Sequence, residues 1–431
     1  MCAWSVFALV TFFVSAALGA DNITIGVVGA MKFDNGKEMW NGAMMAADEI
    51  NHRGGVRVGQ QRKKIRLIKA DSKEFFNVGY ATNTMEMLLL NNDVDFIIGG
   101  FRSEAVLAMQ EVAMDYQKIF ISIGAALPEL CQRVSQNYDR YKYYFRNGVF
   151  NNYYLAEACF LQLAFIAQNM RESLGLRTVR VAIAAERADW VEGMIVAAKK
   201  NFPKMGLELA GVFRPSSVAT NVVPELNAIA ETRAPIIFTL FSTNVGTAFV
   251  SQAADLRIPA VQVGINVVAQ KSDFWKNTDG KANYVVTTMA LCRGVEITKL
   301  TTPFLESYIR RFGEVPTYTA ASYSSIIHTL VPAIEQAATL NSNILVNVIE
   351  NRVYETPHGR YAYEKDKLGR HLHDLKFGAK YAMLLGGQWQ DGKMKGIWPN
   401  NYKEQPDMPP LTYKGIVDFK IPPWVLSAYN R

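Results

Sequence analysis

The chain has only four cysteines in 431 residues, at positions 2, 131, 159 and 292. None has the CxxC spacing of a metal knuckle, and Cys131, Cys159 and Cys292 make at most one disulfide, which excludes a cysteine-stapled scaffold. Buried free thiols are the simpler expectation. Beyond residue 20 no apolar run is long enough to cross a bilayer. Nucleotide signatures are missing as well. Residues 26–29 read Gly-Val-Val-Gly but lack GxGxxG spacing; Gly36-Lys37 has no glycine five positions earlier, and Glu38 stands where a phosphate loop needs Ser or Thr. There is no GxSxG elbow for a serine hydrolase. No catalytic residue and no cofactor is therefore expected.

Strong charge of one sign is also lacking. The net charge of +7 is spread over short groups such as Arg62-Lys63-Lys64, Lys199-Lys200 and Arg310-Arg311, each beside an apolar helix or strand. These read as solvated faces. Without a basic stripe and interleaved aromatics, nucleic-acid binding has no support, and only a weak bias toward anionic ligands remains.

What is present is a globular composition, 49% hydrophobic and 20% charged, in a chain long enough for two lobes. Residues 1–20 stand apart. From Ala3 to Leu18 they are apolar or small, with a small-x-small pattern at Ala17-Leu18-Gly19 before Asp21. This reads as a secretory signal peptide, implying export to the periplasm. The segment lacks Lys and Arg before its apolar run, and left uncleaved it would be a membrane anchor, although slightly short for a span. With the signal removed, no direct membrane span is expected.

From residue 22 onward, compact apolar runs alternate with helical patterns. Strand candidates lie at 23–28, 65–68, 96–98 and 119–121. Between them Trp40, Ala43, Met44, Ala47 and Ile50 recur at helical spacing before Gly54-Gly55, Asn77 offers a cap, and another helix starts at Ser103. After a long helical stretch at 151–169 the rhythm restarts, with strands at 179–183, 207–213, 236–240 and 261–263. Fully apolar strands are buried on both faces, as in parallel sheets covered by helices. The expected fold class is α/β, with two doubly wound Rossmann-like lobes whose ligands bind beyond the strands' carboxyl ends. Later helical patterns cover 303–312, 319–340 and 343–353, and strand-like pieces lie near 359–363 and 377–385. Residues 388–431 read as an extended tail.

His371 and His373 would share one strand face, with Asp374 adjacent. Such a pair can coordinate a metal, but no third ligand is apparent and an exposed polar edge is expected.

The sequence resembles the leucine/isoleucine/valine-binding protein family of the type I periplasmic binding fold. The resemblance rests on Ile25-Gly26-Val27-Val28-Gly29, on the helix at 42–51 ending in Glu49-Ile50-Asn51 before Gly54-Gly55, on Phe96-Ile97-Ile98-Gly99-Gly100, and on the run from Ile121 through Gly124-Ala125-Ala126 to Leu130. It continues through 248–264 and more faintly to about 385. It implies three crossings between lobes, near 146–147, 287–288 and 361–365, forming a three-stranded hinge. The first lobe would comprise 21–146 plus 289–360, and the second 147–288 plus 361–387.

The resemblance also implies a ligand site in the cleft. Ser103 and the turn Gly124-Ala125-Ala126 would hold a carboxylate, at a helix start where free N–H groups favour an anion; Ser103 as a simple N-cap is the alternative. Trp190 and Phe241 would face that site from the second lobe, or else pack in its core, with Trp190, Met194 and Ala198 forming a helical stripe. Arg102 would meet a second ligand anion or pair with Glu74. Three departures from the family matter: Ala126 replaces a threonine, Trp190 a smaller tyrosine, and Asn266 an acid that pairs with a ligand ammonium. The last points to a carboxylate ligand without an ammonium. The implied function is the solute-binding component of an ABC importer, closing on its ligand and docking on a membrane permease served by an ATPase. A sensory module of the same fold and a secreted enzyme are the rival readings.

Overall fold

The computed structural model describes residues 22–148 and 150–429. The expected signal segment lies outside them. The first lobe opens with β1 (Asn22–Gly29), α1 (Asp34–His52), β2 (Val56–Val58), β3 (Gln61–Asp71), α2 (Val78–Asn91), β4 (Phe96–Gly99), α3 (Ser103–Asp115), β5 (Ile119–Ser122), α4 (Glu129–Gln136), α5 (Tyr138–Tyr141) and β6 (Tyr144–Arg146). Its sheet has the order β2-β3-β1-β4-β5-β6, parallel except for the β2–β3 hairpin. Asn77 caps α2 by accepting the Gly79 amide at 2.6 Å.

A single long helix, α6 (Asn152–Leu174), leads into the second lobe. There follow β7 (Val179–Ala185), α7 (Asp189–Asn201), β8 (Leu207–Phe213), α8 (Val223–Glu231), β9 (Ile236–Phe241), α9 (Val245–Asp255) and β10 (Val261–Asn266). The four strands form a parallel sheet ordered β10-β9-β7-β8. Strand alternation explains how it is covered. Val181, Ile183 and Ala185 join the large core with α6 and α7, while Ala182 and Ala184 join a separate cluster with Leu226 of α8 and Phe249 of α9. Helices therefore cover both faces, which gives an α/β doubly wound lobe.

After α10 (Phe274–Asn277) and β11 (Val286–Met289), the chain returns as α11 (Thr301–Phe312), α12 (Ser322–Ser324), α13 (Val331–Ala337) and α14 (Ser342–Glu350). These pack on α1 and β2 of the first lobe, and α14 on α13. The continuous helix expected at 319–340 is broken. A 3₁₀ turn at Tyr318–Ala321 precedes α12, a π-type turn at Ser325–Leu330 follows it, and Ala338 ends α13 in the left-handed region. Pro332 has no N–H to give the carbonyl four residues earlier, so a widened turn just before it is the physical consequence.

Short strands complete the chain: β12 (Tyr354–Thr356), β13 (Gly359–Tyr361), β14 (Tyr363–Lys365), β15 (His371–Leu375), β16 (Leu385–Gln390) and β17 (Lys393–Trp398), then α15 (Pro423–Tyr429). Two expectations need correction here. The β14–β15 hairpin, placed by the sequence reading in the second lobe, packs against α4 and β6 of the first, with Arg146 Nε 2.9 Å from Asp374 Oδ1. Residues 388–431 are not simply an extended tail. Gln388–Gln390 finish β16, which pairs with β11 on one side and β17 on the other, and α15 returns to α6 with Val425 buried. Cys131, Cys159 and Cys292 are free and buried.

Candidate functional site

The carboxyl ends of both parallel sheets open into one interlobe cleft with about 980 Å³ of atom-free space. On the first-lobe wall, β4 ends at Gly99-Gly100, both at positive φ. A side chain at Gly99 would strike the Val28 carbonyl oxygen at 1.9 Å, so the turn into α3 requires glycine there. That turn brings Ser103 and Glu104 into the cleft, and the first backbone bond of α3 runs from the Val106 amide to the Arg102 carbonyl. The Ser103 and Glu104 amides have no partner among the described residues and form an anion-favouring helix start.

Ser103 is not an N-cap. Its Oγ accepts the amides of Ala126 and Leu127 at 3.2 and 3.3 Å, which ties α3 to the turn after β5 and leaves the hydroxyl proton available to an acceptor in the cleft. The same turn is clamped from behind. Buried Arg146 donates to the Ala125 carbonyl and, at 2.7 Å, to the Leu127 carbonyl, while Asp374 compensates its charge. Gly124 and Ala126 line the cleft and Ala125 does not; it is fully buried. The amide groups expected to hold a carboxylate are partly committed, because Gly124 donates to Gly100 O and Ala126 to Ser103. Arg102 lines the cleft but pairs with Glu104, not with Glu74; buried Glu74 instead accepts the backbone amides of Phe101 and Arg102 at 3.0 and 2.8 Å. Burial raises the Glu74 pKa and those amides pull it back. Phe75, Phe101 and Tyr318 supply apolar surface, with Phe101 and Tyr318 stacked at 6.3 Å.

The second-lobe wall is made of side chains. Trp190, on the first turn of α7, lines the cleft while Met194 and Ala198 of the same stripe are buried. Its indole Nε1 donates at 2.9 Å to Glu186, a fully buried carboxylate just past β7. Ser242 also donates to Glu186, and Thr243 does so at 3.0 Å. No Lys or Arg among the described residues pairs with this carboxylate. Glu186 was missed in the sequence because it stands alone; only its place after an apolar strand could have marked it.

Phe241 and Asn266 are not in the cleft. Phe241 is fully buried in the α8–α9 cluster, 5.0 Å from the Phe249 ring centre. The pleat is the reason: Ser242 and Thr243 follow it into the cleft while Phe241 faces α9. Asn266 is likewise turned away, since its neighbours Ile265 and Val267 line the cleft. Its amide nitrogen donates to the Gly246 carbonyl at 3.3 Å, and a Cβ at 246 would lie 2.2 Å from Asn266 Oδ1, so any larger residue there would displace the Asn266 side chain. At the rim, Lys271 of the second lobe pairs with Asp34 of the first, and the Val315 amide donates to Ser272 Oγ at 3.1 Å. Chemically, one wall offers N–H and O–H donors to an anion and the other offers a buried carboxylate to a cation.

No helix among the described residues is long and apolar enough to cross a membrane. The leucine-specific-binding protein of Salmonella typhimurium is 28% identical over 128 residues, 29% of this chain and a third of that protein's length. Among solved structures, a solute-binding protein of an ABC transporter from Rhodopseudomonas palustris in complex with 3,4-dihydroxybenzoic acid superposes with a TM-score of 0.71 at 18% identity, covering 92% of this chain and 99% of that one. The isoleucine-bound branched-chain amino acid transporter substrate-binding protein of Streptococcus pneumoniae gives 0.70 at 19% identity, covering 86% and 97%. At these identities the superpositions establish the fold. The periplasmic binding protein family model matches residues 22–378, nearly the whole of both lobes, and the chain belongs to that family.

Proposed function

We propose that this chain is the extracytoplasmic solute-binding component of an ABC importer, binding a small carboxylate-bearing ligand between its lobes without catalysis. The ligand's carboxylate would take the Ser103 hydroxyl and the free amides at the start of α3. The carrying observation is Glu186. A buried carboxylate whose own hydrogen bonds all come from neutral donors leaves a charge that a ligand cation would offset. An α-amino acid has both charges, so we read the ligand class as amino-acid-like. The case for a ligand without an ammonium depended on Asn266 in the cleft; with Asn266 turned inward and Glu186 present, that reason is gone. The isoleucine complex of the Streptococcus relative supports this reading, and the dihydroxybenzoic acid complex supports the rival class of simple acids.

A ligand touching both walls favours the closed arrangement by its extra contacts there, and the closed form would dock on a permease pair driven by a separate ATPase. Calorimetry with leucine, isoleucine and phenylalanine against their deaminated acids tests the ligand class. Amino acids should bind more tightly, and Glu186→Gln should weaken them by roughly 10- to 100-fold, the size of a charge-assisted hydrogen bond, while leaving the acids nearly unchanged. Tighter binding of the acids by the unaltered protein would overturn the assignment.

A further inference from the structure

Away from the cleft, three ligand-type side chains converge where β15 and α14 meet the last strand of the first lobe. Glu350 ends α14, and its Oε2 lies 2.8 Å from His373 Nε2 and 3.5 Å from His371 Nδ1. One ligand atom from each of the three residues lies within 4.8 Å of the others. The expected exposed polar edge is absent: His373 and Glu350 are buried, and only the His371 side chain keeps some access, at 18%. Asp374 is committed to Arg146 and to Asn151, whose side-chain amide donates to it at 2.9 Å.

The proton inventory at His373 is informative. Its Nδ1 lies 2.9 Å from the Tyr144 carbonyl oxygen, which can only accept, so Nδ1 carries the proton. In a neutral ring Nε2 then presents a lone pair to a carboxylate oxygen 2.8 Å away, and either a proton or a metal ion must bridge them. A second ring proton would serve that pair alone. It would leave His371 Nδ1, aimed at the same carboxylate, buried without a hydrogen bond. A metal ion serves all three groups. A tetrahedral zinc ion with bonds of roughly 2.0–2.1 Å places its ligand atoms roughly 3.3 Å apart, between the 2.8 and 3.5 Å that separate Glu350 from the two rings. A carbonyl holding the far N–H of a histidine is the usual outer partner of a zinc ligand.

The backbone is shaped for this convergence. The β14–β15 ladder pairs Lys365 with His371 and Tyr363 with Leu375, so β15 is bulged between them, and His373 within the bulge has φ +54°. Bulges re-aim side chains, here two rings onto one carboxylate. Phe145 stacks on the His373 ring at 4.0 Å and fixes its plane.

We propose that Glu350, His371 and His373 form a binding site for a divalent transition metal of the zinc class. The fourth position would be filled by water or by the Tyr138 hydroxyl, which donates to Glu350 Oε2 at 2.9 Å. The ion would join α14 to the β14–β15 hairpin beside β6, behind the Arg146 clamp on the cleft turn. The test is a zinc titration of untagged, chelator-stripped protein by calorimetry, with metal content measured by mass spectrometry and thermal melting in parallel. One zinc per chain and a raised Tm are expected. His371→Ala should weaken zinc binding by about 100-fold or more, since even an outer-shell change typically costs 10–100-fold, whereas His52→Ala, at an exposed histidine, should leave it intact. If His371→Ala is poorly folded in the metal-free state, Glu350→Gln replaces it as the test. No zinc uptake by the unaltered protein, or equal uptake by a folded site variant, would overturn the proposal.

Discussion

The two walls of the cleft recognise by different means. The first-lobe wall is built from small residues and backbone: Ser103, Gly124, Ala126 and the open amides of α3. Such a wall is specified by chain geometry and offers donors at fixed positions. The second-lobe wall is built from the side chains of Glu186, Trp190, Ser242 and Thr243, which satisfy one another around a single carboxylate. Under the proposed function, the first wall would take a group common to many ligands, and the second would hold the group that discriminates among them. It follows that changes in the second lobe should alter which ligand binds, and changes in the first should alter how strongly any ligand binds.

The largest effect expected from a single change lies just behind the second wall and should spare recognition. Phe241→Ala empties a fully buried ring site against Phe249 and should cost about 3–5 kcal/mol of stability. At a temperature where the variant remains folded, its ligand affinity should match that of the unaltered protein. A large affinity loss with unchanged Tm would return Phe241 to the cleft. On the first wall, Ser103→Ala removes the acceptor of two turn amides and, under the proposed function, a donor to the ligand's carboxylate. Binding of every carboxylate ligand should weaken by about 1–1.5 kcal/mol, the ordinary worth of a hydrogen bond, without a change in their ranking. A changed ranking would blur the distinction between the walls.

The effect smallest per unit of the variable changed is spread over pH and concerns the support of Tyr318 at the first wall. Glu38 of α1 is buried and accepts from the Thr317 amide at 3.2 Å and from the hydroxyls of Thr317 and Thr319, on either side of Tyr318. Burial raises its pKa from 4.5 to about 7. Because the folded state then holds the proton that the unfolded state releases, this group's stabilisation is complete below about pH 4.5 and is lost as pH rises through about 7. The stability difference between the unaltered protein and Glu38→Gln should therefore shift against the former across that window, by at most about 1.4 kcal/mol per pH unit. A pH-independent difference measured by denaturant melts would show that Glu38 stays ionised.

Much of the scaffold was legible because burial on two faces leaves a plain mark. The strands at 23–28, 96–98, 179–183 and 236–240 are largely apolar, broken only by Gly26 and by Thr24, Arg180 and Thr239, and each became a central parallel strand. Ser103, Gly124 and Ala126 were proposed as cleft residues by the family resemblance, which left Trp190 between cleft and core, and all four line the cleft. Phe241 and Asn266, also placed in the cleft by the resemblance, lie outside it. Each sits at a strand end, but one step along a pleated strand reverses the face, and an apolar run gives no sign of which face is which.

The amino-acid sequence by itself determined the alternation of strands and helices, hence two doubly wound lobes, because periodicity and turn residues act over a few positions and survive reading one residue at a time. Only the tertiary structure decided which polar groups meet. Glu186 gains its meaning from Ser242 and Thr243, some 56 residues on, and His373 from Glu350, 23 residues back. Charges and ligand atoms act through space over a few ångströms, so their pairing is set by where the chain returns and leaves no periodic trace along it.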